Sequence, residues 1–416
     1  MKNCLICNAS IAPFIDFGNM PLGNGFLLPE WYDQEYRFHL QMGFCPECTM
    51  AQLLDQPDRE RMFHENYAFF SGTSRYMALH FKAFSEHVVA DYVSGDDPFV
   101  VEMGSNDGIM LHNFATAGIR HLGIEPSRNV AQVAIDKGIN TVTEFFGAEL
   151  AQWIVAQHGQ ADVFLAANVM CHIKYIHSIV EGIRILVKPT GVVMFEDPYL
   201  GDVIEKTSYD QIYDEHVFLF SVASVSYLFE RYGMEVIDVE SQATHGGSMR
   251  YVIAYKGARP VSPNVKKQKE KERGLGLHLV ETYDQFRRNC ESSRYRLMTL
   301  LSDLKSQGKR VVGYGATSKS TTVINYCGIT PDLVEFISDT TPIKQGKFSP
   351  GAHIPVRSYE EFVRDFPDYA LLFAWNHAHE IMEKEVVFRA NGGRWIVYVP
   401  NVAVADWSMP VPNIKI

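Results

Sequence analysis

Short apolar runs alternate with amphipathic segments from about residue 98 of the chain onward. Residues 99–103 form an apolar run that predicts a buried strand, and residues 121–124, 162–169 and 191–196 predict three more. Segments with apolar residues at helical spacing lie between these runs. This alternation predicts an α/β domain in which helices pack around a parallel sheet.

A second region with the same pattern follows a charged connection. Residues 257–273 carry two prolines and then a dense run of charges, which indicates a domain boundary followed by a solvated helix face. A long amphipathic helix is predicted next from the apolar residues Phe286, Cys290, Leu297, Leu301 and Leu304. Strands predicted within residues 310–319, 333–339, 371–374 and 395–399 then indicate a second Rossmann-like domain.

The length of the chain indicates how many domains it forms. At roughly 150 residues per domain, 416 residues predict about three domains. Apolar residues make up 46% and charged residues 21%, as in packed globular proteins. We therefore expect an amino-terminal domain over residues 1–75, a central domain over 76–257 and a carboxyl-terminal domain over 258–416.

The charge balance and the apolar runs exclude several classes of protein. Lysine and arginine number 38 against 49 acidic residues, so the net charge is −11 with histidine neutral. An acidic chain is not expected to derive its main affinity from a phosphate backbone, so we predict no nucleic-acid partner. No apolar run is long enough to span a membrane, and Met1–Asn8 lacks the apolar stretch of a secretory signal. We therefore expect a cytoplasmic protein with no membrane partner.

Four of the seven cysteines form two C-x-x-C pairs, Cys4 with Cys7 and Cys45 with Cys48. Each pair can deliver two thiolates from one tight turn, and two pairs complete a tetrahedral set around zinc. Because a closed set of four thiolates leaves no position for water or substrate, we predict a structural zinc ion. The alternatives are a catalytic or redox role, or four reduced and buried thiols. An odd total of cysteines at uneven spacing does not suit a disulfide framework.

A turn with two glycines follows the first strand of the central domain, where Glu102, Gly104 and Gly108 are spaced E-x-G-x-x-x-G. Such a turn lets a ligand approach the backbone closely, and Glu125 at the end of the next strand can accept hydrogen bonds from ribose hydroxyls. The spacing differs from the G-x-G-x-x-G pattern of dinucleotide sites, which disfavours pyrophosphate. A tight turn in some other doubly wound sheet is the alternative.

This turn resembles the first motif of class I methyltransferases, whose ligand is S-adenosylmethionine. Residues 162–169 and 191–196 resemble the fourth and fifth strands of the same fold. The resemblance gives an expected set of cofactor-binding residues: Glu102, Gly104, Ser105, Asn106, Gly108, Glu125 and Asn168.

Three further segments extend the resemblance over essentially the whole chain: residues 168–173 (NVMCHI), 213–216 (YDEH) and 245–250 (HGGSMR). Together with the cysteine pairs and the glycine turn, they resemble the nucleotide-sugar C-methyltransferases of branched deoxysugar biosynthesis. The resemblance implies a class I methyltransferase Rossmann-like core between a zinc-binding knuckle domain and a second Rossmann-like domain. It also implies methyl transfer from S-adenosylmethionine to carbon C-3 of a nucleotide-linked 4-keto-6-deoxysugar through an enolate.

The resemblance assigns catalytic roles to five residues. His216 removes the C-3 proton as general base, Glu215 orients His216, and Tyr213 with His172 stabilises the enolate oxygen. Tyr67 contacts the reacting centre. The residue types alone also fit three other interpretations. The segment around His216 fits a polar loop that caps a helix, His172 fits a histidine of the core, and Tyr67 fits simple aromatic packing.

Within the resemblance, the carboxyl-terminal domain holds the nucleotide part of the substrate. Backbone N–H groups of residues 313–317 and the charge of Lys319 suit a diphosphate at a helix start, in a local basic pocket that includes Arg250. Ser318 stands in place of the third glycine of a dinucleotide pattern, so NAD is disfavoured. The predicted substrate-binding residues are Arg250, Gly313, Gly315, Lys319, Asn376 and His377, with ordinary loop polarity as the alternative for the carboxyl-terminal ones.

The sequence therefore predicts a zinc-bearing, S-adenosylmethionine-dependent C-methyltransferase with a nucleotide sugar as its substrate partner. An O- or N-methyltransferase acting on a sugar or small metabolite is the nearest alternative. A zinc-knuckle adaptor with a vestigial methyltransferase fold is another. The sequence leaves open the nucleotide (dTDP, GDP or another), the sugar, the stereochemistry at C-3, the pathway and the oligomeric state.

Overall fold

The computed structural model describes residues 2–62, 72 and 75–405, and the strands among these residues form three sheets. The first sheet belongs to the amino-terminal domain. Its antiparallel strands from this domain are β1 (Lys2–Asn3), β2 (Ser10–Pro21), β3 (Arg37–Phe44) and β4 (Ala51–Leu53). A 3-10 helix spans Pro29–Gln34, and helix α1 spans Arg59–Met62.

The second sheet forms the core of the central domain, which helix α2 (Arg75–Tyr92) precedes. Its strands are β5 (Phe99–Met103), β6 (Arg120–Ile124), β7 (Thr141–Val142), β8 (Ala161–Ala167), β9 (Val187–Pro198), β11 (Met234–Gln242) and β12 (Ser248–Tyr255), and the short β10 (Phe218–Leu219) lies between β9 and β11 in the chain. The helices are α3 (Leu111–Thr116), α4 (Arg128–Asp136), α5 (Ala148–His158), α6 (Ile176–Leu186), α7 (Leu200–Lys206) and α8 (Val222–Glu230).

Strand order in the second sheet is β11-β12-β9-β8-β5-β6-β7, and only β12 runs antiparallel to its neighbours within the described part of the chain. Every residue of β5 is buried, because helices cover both faces of the sheet. The parallel α/β arrangement predicted from the apolar runs is confirmed. The carboxyl ends of β5, β6 and β8 meet at one edge, where a ligand is expected to bind.

The third sheet lies in the carboxyl-terminal domain and has the order β15-β14-β13-β16-β17-β18, parallel except for the last strand. The strands are β13 (Val311–Tyr314), β14 (Ile337–Ser338), β15 (Val356–Arg357), β16 (Tyr369–Leu372), β17 (Arg394–Val397) and β18 (Ala403–Ala405). The helices are α9 (Pro263–Gly274), α10 (Val280–Ser306), α11 (Ser318–Cys327), α12 (Tyr359–Arg364), α13 (Ala378–Lys384) and α14 (Val386–Ala390).

One predicted strand of this domain is shorter than expected. The apolar run 333–339 predicts a strand, yet β14 spans only Ile337–Ser338. The N–H groups of Leu333 and Val334 both donate to the carbonyl oxygen of Thr330. This turn takes the backbone donors that a longer strand would have needed.

The amino-terminal domain packs against both other domains. Strand β10 of the central region extends the first sheet by pairing with β4, and the ring of Phe44 stacks on Tyr283 of α10 with centroids 4.1 Å apart. The boundaries at residues 75 and 258 stay predictions. Among the residues that the structure describes, no helix has both the length and the apolar character that crossing a bilayer requires.

Candidate active site

The four predicted zinc ligands come together in the amino-terminal domain. The Sγ atoms of Cys4 and Cys48 lie 3.4 Å apart, as do those of Cys7 and Cys45, and all four lie within 4.8 Å of one another. Tetrahedral Zn–S bonds of about 2.3 Å would place the sulfurs about 3.8 Å apart. A hydrogen bond from Cys48 lowers the pKa of Cys4 to about 5 against the effect of burial. This donor set fits a zinc ion with no open position.

A cavity of about 430 Å³ opens where the carboxyl ends of β5, β6 and β8 meet. Four of the predicted cofactor-binding residues line it, namely Gly104, Asn106, Glu125 and Asn168. His172 and His245 line the same cavity, so it joins the predicted cofactor site to the predicted catalytic residues. The apolar part of its wall includes Met77, Phe81, Met103, Ile124, Phe146 and Ile179.

The turn after β5 brings the backbone close to the cavity. Gly104 has φ +69°, and a Cβ atom built there would lie 2.3 Å from Cγ2 of Val169. The backbone N–H groups of Asn106 and Ser127 donate to the two oxygens of Glu125, at 3.1 and 2.7 Å. These bonds hold the acid at the cavity wall, where it can accept from ribose hydroxyls. A turn whose backbone lies close to the cavity, beside a carboxylate held by hydrogen bonds, fits the binding of S-adenosylmethionine.

Three of the predicted cofactor-binding residues lie behind this wall and support it. Burial, Glu125 and Asp107 raise the pKa of Glu102 well above its usual range. Ser105 packs against Gly123 of β6, and Gly108 packs against Ala134 of α4. None of the three lines the cavity, and their contact with the cofactor stays a prediction.

Gly104→Ala is expected to weaken S-adenosylmethionine binding about 10- to 100-fold, because the added methyl group strains the backbone and clashes with Val169. Titration calorimetry measures the change. Gly118→Ala is the matched control: φ at Gly118 is +70°, but none of the residues that the structure describes has an atom within 4 Å of the added Cβ. It should bind like wild type, and equal weakening in both variants would contradict the prediction.

His216 lies at the centre of the predicted catalytic residues. Its Nδ1 is 2.7 Å from the carbonyl oxygen of Gln211, and its Nε2 is 2.8 Å from the hydroxyl of Tyr213. Because a carbonyl oxygen only accepts, Nδ1 carries the proton and Nε2 accepts from Tyr213. The ring of His172 stacks on that of His216 with centroids 5.3 Å apart.

Burial sets the protonation state of both histidines. It lowers the pKa of His172 to about 4, and burial together with His172 lowers the pKa of His216 well below its ordinary value. Both imidazoles are therefore neutral near neutral pH. A neutral His216 can accept a proton, and a neutral His172 can donate a hydrogen bond.

In the structure, the partner of His216 that was predicted to be Glu215 is a backbone carbonyl group. The carbonyl oxygen of Gln211 occupies the position at Nδ1 that sequence reasoning gave to Glu215. Oε1 of Glu215 instead accepts a hydrogen bond of 2.8 Å from the side-chain amide of Asn24. The backbone supplies the orienting acceptor because residues 211–216 fold tightly enough to bring the ring back over Gln211.

Arg250 also differs from the expectation. Its guanidinium donates to Glu196 at 3.0 Å and to Glu240 at 3.1 Å, and it stacks on the ring of Phe84. A cation already paired with two carboxylates is not a free site for a diphosphate. Arg250 instead helps to hold Glu196 ionised: burial raises the pKa of that acid, but His80, Arg250 and Thr244 lower it to about 2.

Lys319 lies at the start of α11, facing the central domain. Its Nζ donates to the carbonyl oxygen of His245 at 3.1 Å and lies 5.7 Å from the ring centroid of Trp375. Burial lowers the pKa of Lys319 to about 8, against the effect of Asp210. His377 follows β16 on the same side, and its ring faces Tyr76 of α2 at 6.2 Å. Lys319 and His377 thus lie between two domains, with Asn376 in the same 3-10 helix as His377.

The backbone of the turn after β13 does not present the donors that were predicted. The N–H groups of Gly313 and Gly315 donate to the carbonyl oxygens of Phe336 and Ser338, and that of Ala316 donates to Asp339. Because these donors already have acceptors, the prediction that Gly313 and Gly315 bind a diphosphate through N–H groups is wrong.

Sequence reasoning gave no role to several residues that the structure places beside the site: Asn24, His80, Glu196, Gln211, His245 and Trp375. His245 and Gln211 fell inside motifs already noted, so a closer reading of those motifs could have found them. Asn24 and Trp375 reach the site from other domains, and no local signal indicated this. Tyr67 lies outside the described residues.

Comparison with known proteins agrees with this arrangement. Residues 4–63 match the family described as "Putative zinc binding domain", residues 75–239 match a methyltransferase domain family, and residues 243–400 match a C-methyltransferase C-terminal domain family. C-methyltransferase NovU of Streptomyces niveus is 35% identical over 408 residues, which cover 97% of each chain. The chain belongs to the S-adenosylmethionine-dependent C-methyltransferases.

Membership in this family fixes the coarse activity. The protein is an enzyme that uses S-adenosylmethionine for C-methylation, its core is a class I methyltransferase fold, and its amino-terminal domain binds zinc. The alternatives of an O- or N-methyltransferase and of a non-catalytic adaptor are not supported.

Solved structures of other methyltransferases are similar over less than half of the chain. Magnesium protoporphyrin IX methyltransferase from Synechocystis PCC 6803, solved with bound S-adenosylmethionine, is 15% identical and has a TM-score of 0.33, covering 43% of this chain and 79% of its own. CcbJ methyltransferase from Streptomyces caelestis is 13% identical with a TM-score of 0.33, covering 42% and 89%.

Proposed function

We propose that the enzyme methylates carbon C-3 of a nucleotide-linked 4-keto-6-deoxysugar, through an enolate that its own residues form and stabilise. The observation that carries the proposal is the hydrogen bond between Tyr213 and His216, whose ring stacks on that of His172 at the wall of the cofactor cavity. Methylation at oxygen or nitrogen needs a base but no enolate stabiliser. A base beside two neutral hydrogen-bond donors is what carbon methylation next to a ketone requires.

Proton removal is assigned to Nε2 of His216. The Gln211 carbonyl fixes the tautomer in which Nε2 is the accepting nitrogen. When substrate binds, the Tyr213 hydroxyl turns from Nε2 to the ketone oxygen, and the freed lone pair takes the C-3 proton. The electron pair of the C–H bond moves into the enolate, whose oxygen accepts hydrogen bonds from Tyr213 and His172. S-adenosylmethionine supplies the electrophilic methyl group when bound.

The remaining predicted residues are assigned to binding. Glu125 holds the ribose of the cofactor, with Gly104, Asn106 and Asn168 shaping the rest of that cavity. Lys319, Asn376 and His377 bind the nucleotide sugar from the carboxyl-terminal domain, and Tyr67 keeps its predicted contact with the reacting centre. Glu102, Ser105, Gly108 and Arg250 support these groups.

The experiment that tests the proposed function is a mass-spectrometric screen of 4-keto-6-deoxysugar nucleotides with S-adenosylmethionine. We expect one substrate to gain a single methyl group, and NMR of the product to place it on C-3. Methyl transfer to a hydroxyl or amine of these compounds, or to no member of the set, would contradict the proposal.

Lys319→Met is expected to raise KM for the nucleotide sugar about tenfold or more, since a hydrogen bond to a charged group contributes about 1.5–3 kcal/mol. Because the pKa of Lys319 is about 8, its charge is present below this pH and is lost above it. Wild-type kcat/KM should therefore fall above about pH 8.

Initial rates between pH 6 and 10, measured for Lys319→Met and for a control variant, check this prediction. Lys305→Met is the control, since that side chain is 53% exposed on α10. It should retain both KM and the alkaline fall in kcat/KM. An unchanged KM in Lys319→Met would contradict the assignment of Lys319 to the substrate.

A further inference from the structure

Residues 22–26 of the zinc-binding domain form a loop that reaches the catalytic segment 213–216. The backbone N–H of Gly23 donates to Oδ1 of Asp214 at 2.8 Å, and the side-chain amide of Asn24 donates to Oε1 of Glu215 at 2.8 Å. These partners are 191 residues apart in the sequence. The sequence of this loop, LGNGF, has no part in zinc binding and none in the mechanism above.

The two residues that the loop holds are the middle residues of a turn. The N–H of His216 donates to the carbonyl oxygen of Tyr213 at 3.1 Å, so residues 213–216 close a four-residue turn. Asp214 and Glu215 occupy its middle, while Tyr213 and His216 at its ends carry the chemistry. Anchoring the middle of a closed turn therefore sets the direction of both ends.

The loop is itself fixed in place. The hydroxyl of Thr321 on α11 donates to the carbonyl oxygen of Gly23 at 2.8 Å. A Cβ atom at Gly23 would lie 2.8 Å from Oδ1 of Asp214 and 3.1 Å from Cβ of Ser318, so the contact has no room for a side chain. Burial and the adjoining Glu215 raise the pKa of Asp214 to about 8. The loop thus places one hydrogen-bond donor against each of two buried acidic side chains.

The same domain also holds the chain just after the turn. The N–H of Leu53 donates to the carbonyl oxygen of Val217 at 2.8 Å, and β10 then pairs with β4. Strand β4 follows the second cysteine knuckle directly, and Gln52 in it accepts a hydrogen bond of 2.8 Å from the N–H of Leu5 in the first knuckle. The zinc-binding domain therefore forms hydrogen bonds with the middle of the 213–216 turn and with the chain directly after it.

We propose that the 22–26 loop is a positioning element for catalysis, in which the amide of Asn24 holds Glu215 and thereby directs His216 and Tyr213. The inference rests on the proposed function, because it takes the 213–216 turn to be catalytic. Asn24 is a positioning residue, not a catalytic one. It gives the amino-terminal domain a part in the reaction beyond holding zinc.

The test compares Asn24→Asp with Asn3→Asp. Aspartate is nearly isosteric with asparagine, but at position 24 it places a carboxylate against Glu215 in place of a donor. The control makes the same change in the same domain, where the amide of Asn3 donates to the exposed Asn8 at 3.1 Å. Zinc content and melting temperature are measured for both, and Asn24→Ala replaces Asn24→Asp if the latter does not fold.

We expect Asn24→Asp to lower kcat about 10- to 100-fold, with KM for S-adenosylmethionine and zinc content unchanged, and Asn3→Asp to match wild type. Asn24→Gln, which keeps the amide, should recover part of the rate. An unchanged kcat, or a fall that Asn3→Asp shares, would overturn the proposal.

A second readout needs no substrate and so separates this inference from the proposed function. In protein labelled at histidine, the ring signals of His216, assigned by their loss in His216→Asn, should shift in Asn24→Asp and stay in place in Asn3→Asp. Unshifted signals would overturn the positioning role even if no 4-keto sugar is methylated.

Discussion

His216→Asn is expected to lower the rate of C-methylation about 10²- to 10⁴-fold, the range that a general base contributes. Asparagine is polar and small enough for the buried site, and its amide can still donate to the carbonyl oxygen of Gln211. It lacks a nitrogen that can accept a proton at the position of Nε2. Single-turnover rates with saturating substrate and S-adenosylmethionine measure the chemical step.

Two measurements separate loss of the base from loss of the fold. His216→Asn should bind S-adenosylmethionine with wild-type affinity in calorimetry, because His216 lies beyond the residues that line the cofactor cavity. Its melting temperature should also stay close to that of wild type. Methylation at more than a tenth of the wild-type rate would contradict the assignment of His216 as base.

Cys45→Ser is expected to release zinc and to abolish activity through loss of the amino-terminal domain. Structural zinc contributes about 10–16 kcal/mol to folding in zinc-finger peptides, and the domain has short strands apart from β2 and β3. Its loss would free both the 22–26 loop and β4 from the catalytic turn. It would also expose the apolar faces that pack against the other two domains.

Zinc content by atomic absorption and unfolding by circular dichroism check this prediction. Cys290→Ala is the control, since that thiol is buried in α10, outside the cysteine cluster. It should keep its zinc and a single unfolding transition. A Cys45→Ser protein with wild-type activity and no zinc would show that the metal is dispensable.

Local signals predicted most of the fold. The run 99–103 matches β5 residue for residue, because four of its five residues are apolar, as expected of a strand buried on both faces. Gly104 was found because a turn with positive φ beside a ligand favours glycine. The run 333–339 forms a shorter strand than predicted, because a turn at Thr330 takes the N–H donors of Leu333 and Val334, which periodicity does not reveal.

The site was harder to predict, because its polar partners come from distant parts of the chain. The carboxylates that neutralise Arg250 lie 54 and 10 residues away, and only the folded sheet brings them to its guanidinium. A backbone acceptor such as the Gln211 carbonyl leaves no trace in residue type, so Glu215 was the natural but wrong partner for His216. Contacts between domains, such as that of Asn24, have no sequence periodicity at all.

An enzyme that forms an enolate at C-3 should exchange the hydrogen on that carbon with solvent, even without the methyl donor. The substrate found in the methylation screen is incubated with enzyme in D₂O without S-adenosylmethionine, and deuterium at C-3 is followed by NMR. We predict incorporation at C-3 with wild-type enzyme and none above background with His216→Asn. Full methylation of that substrate with no exchange under any binding condition would overturn the enolate mechanism.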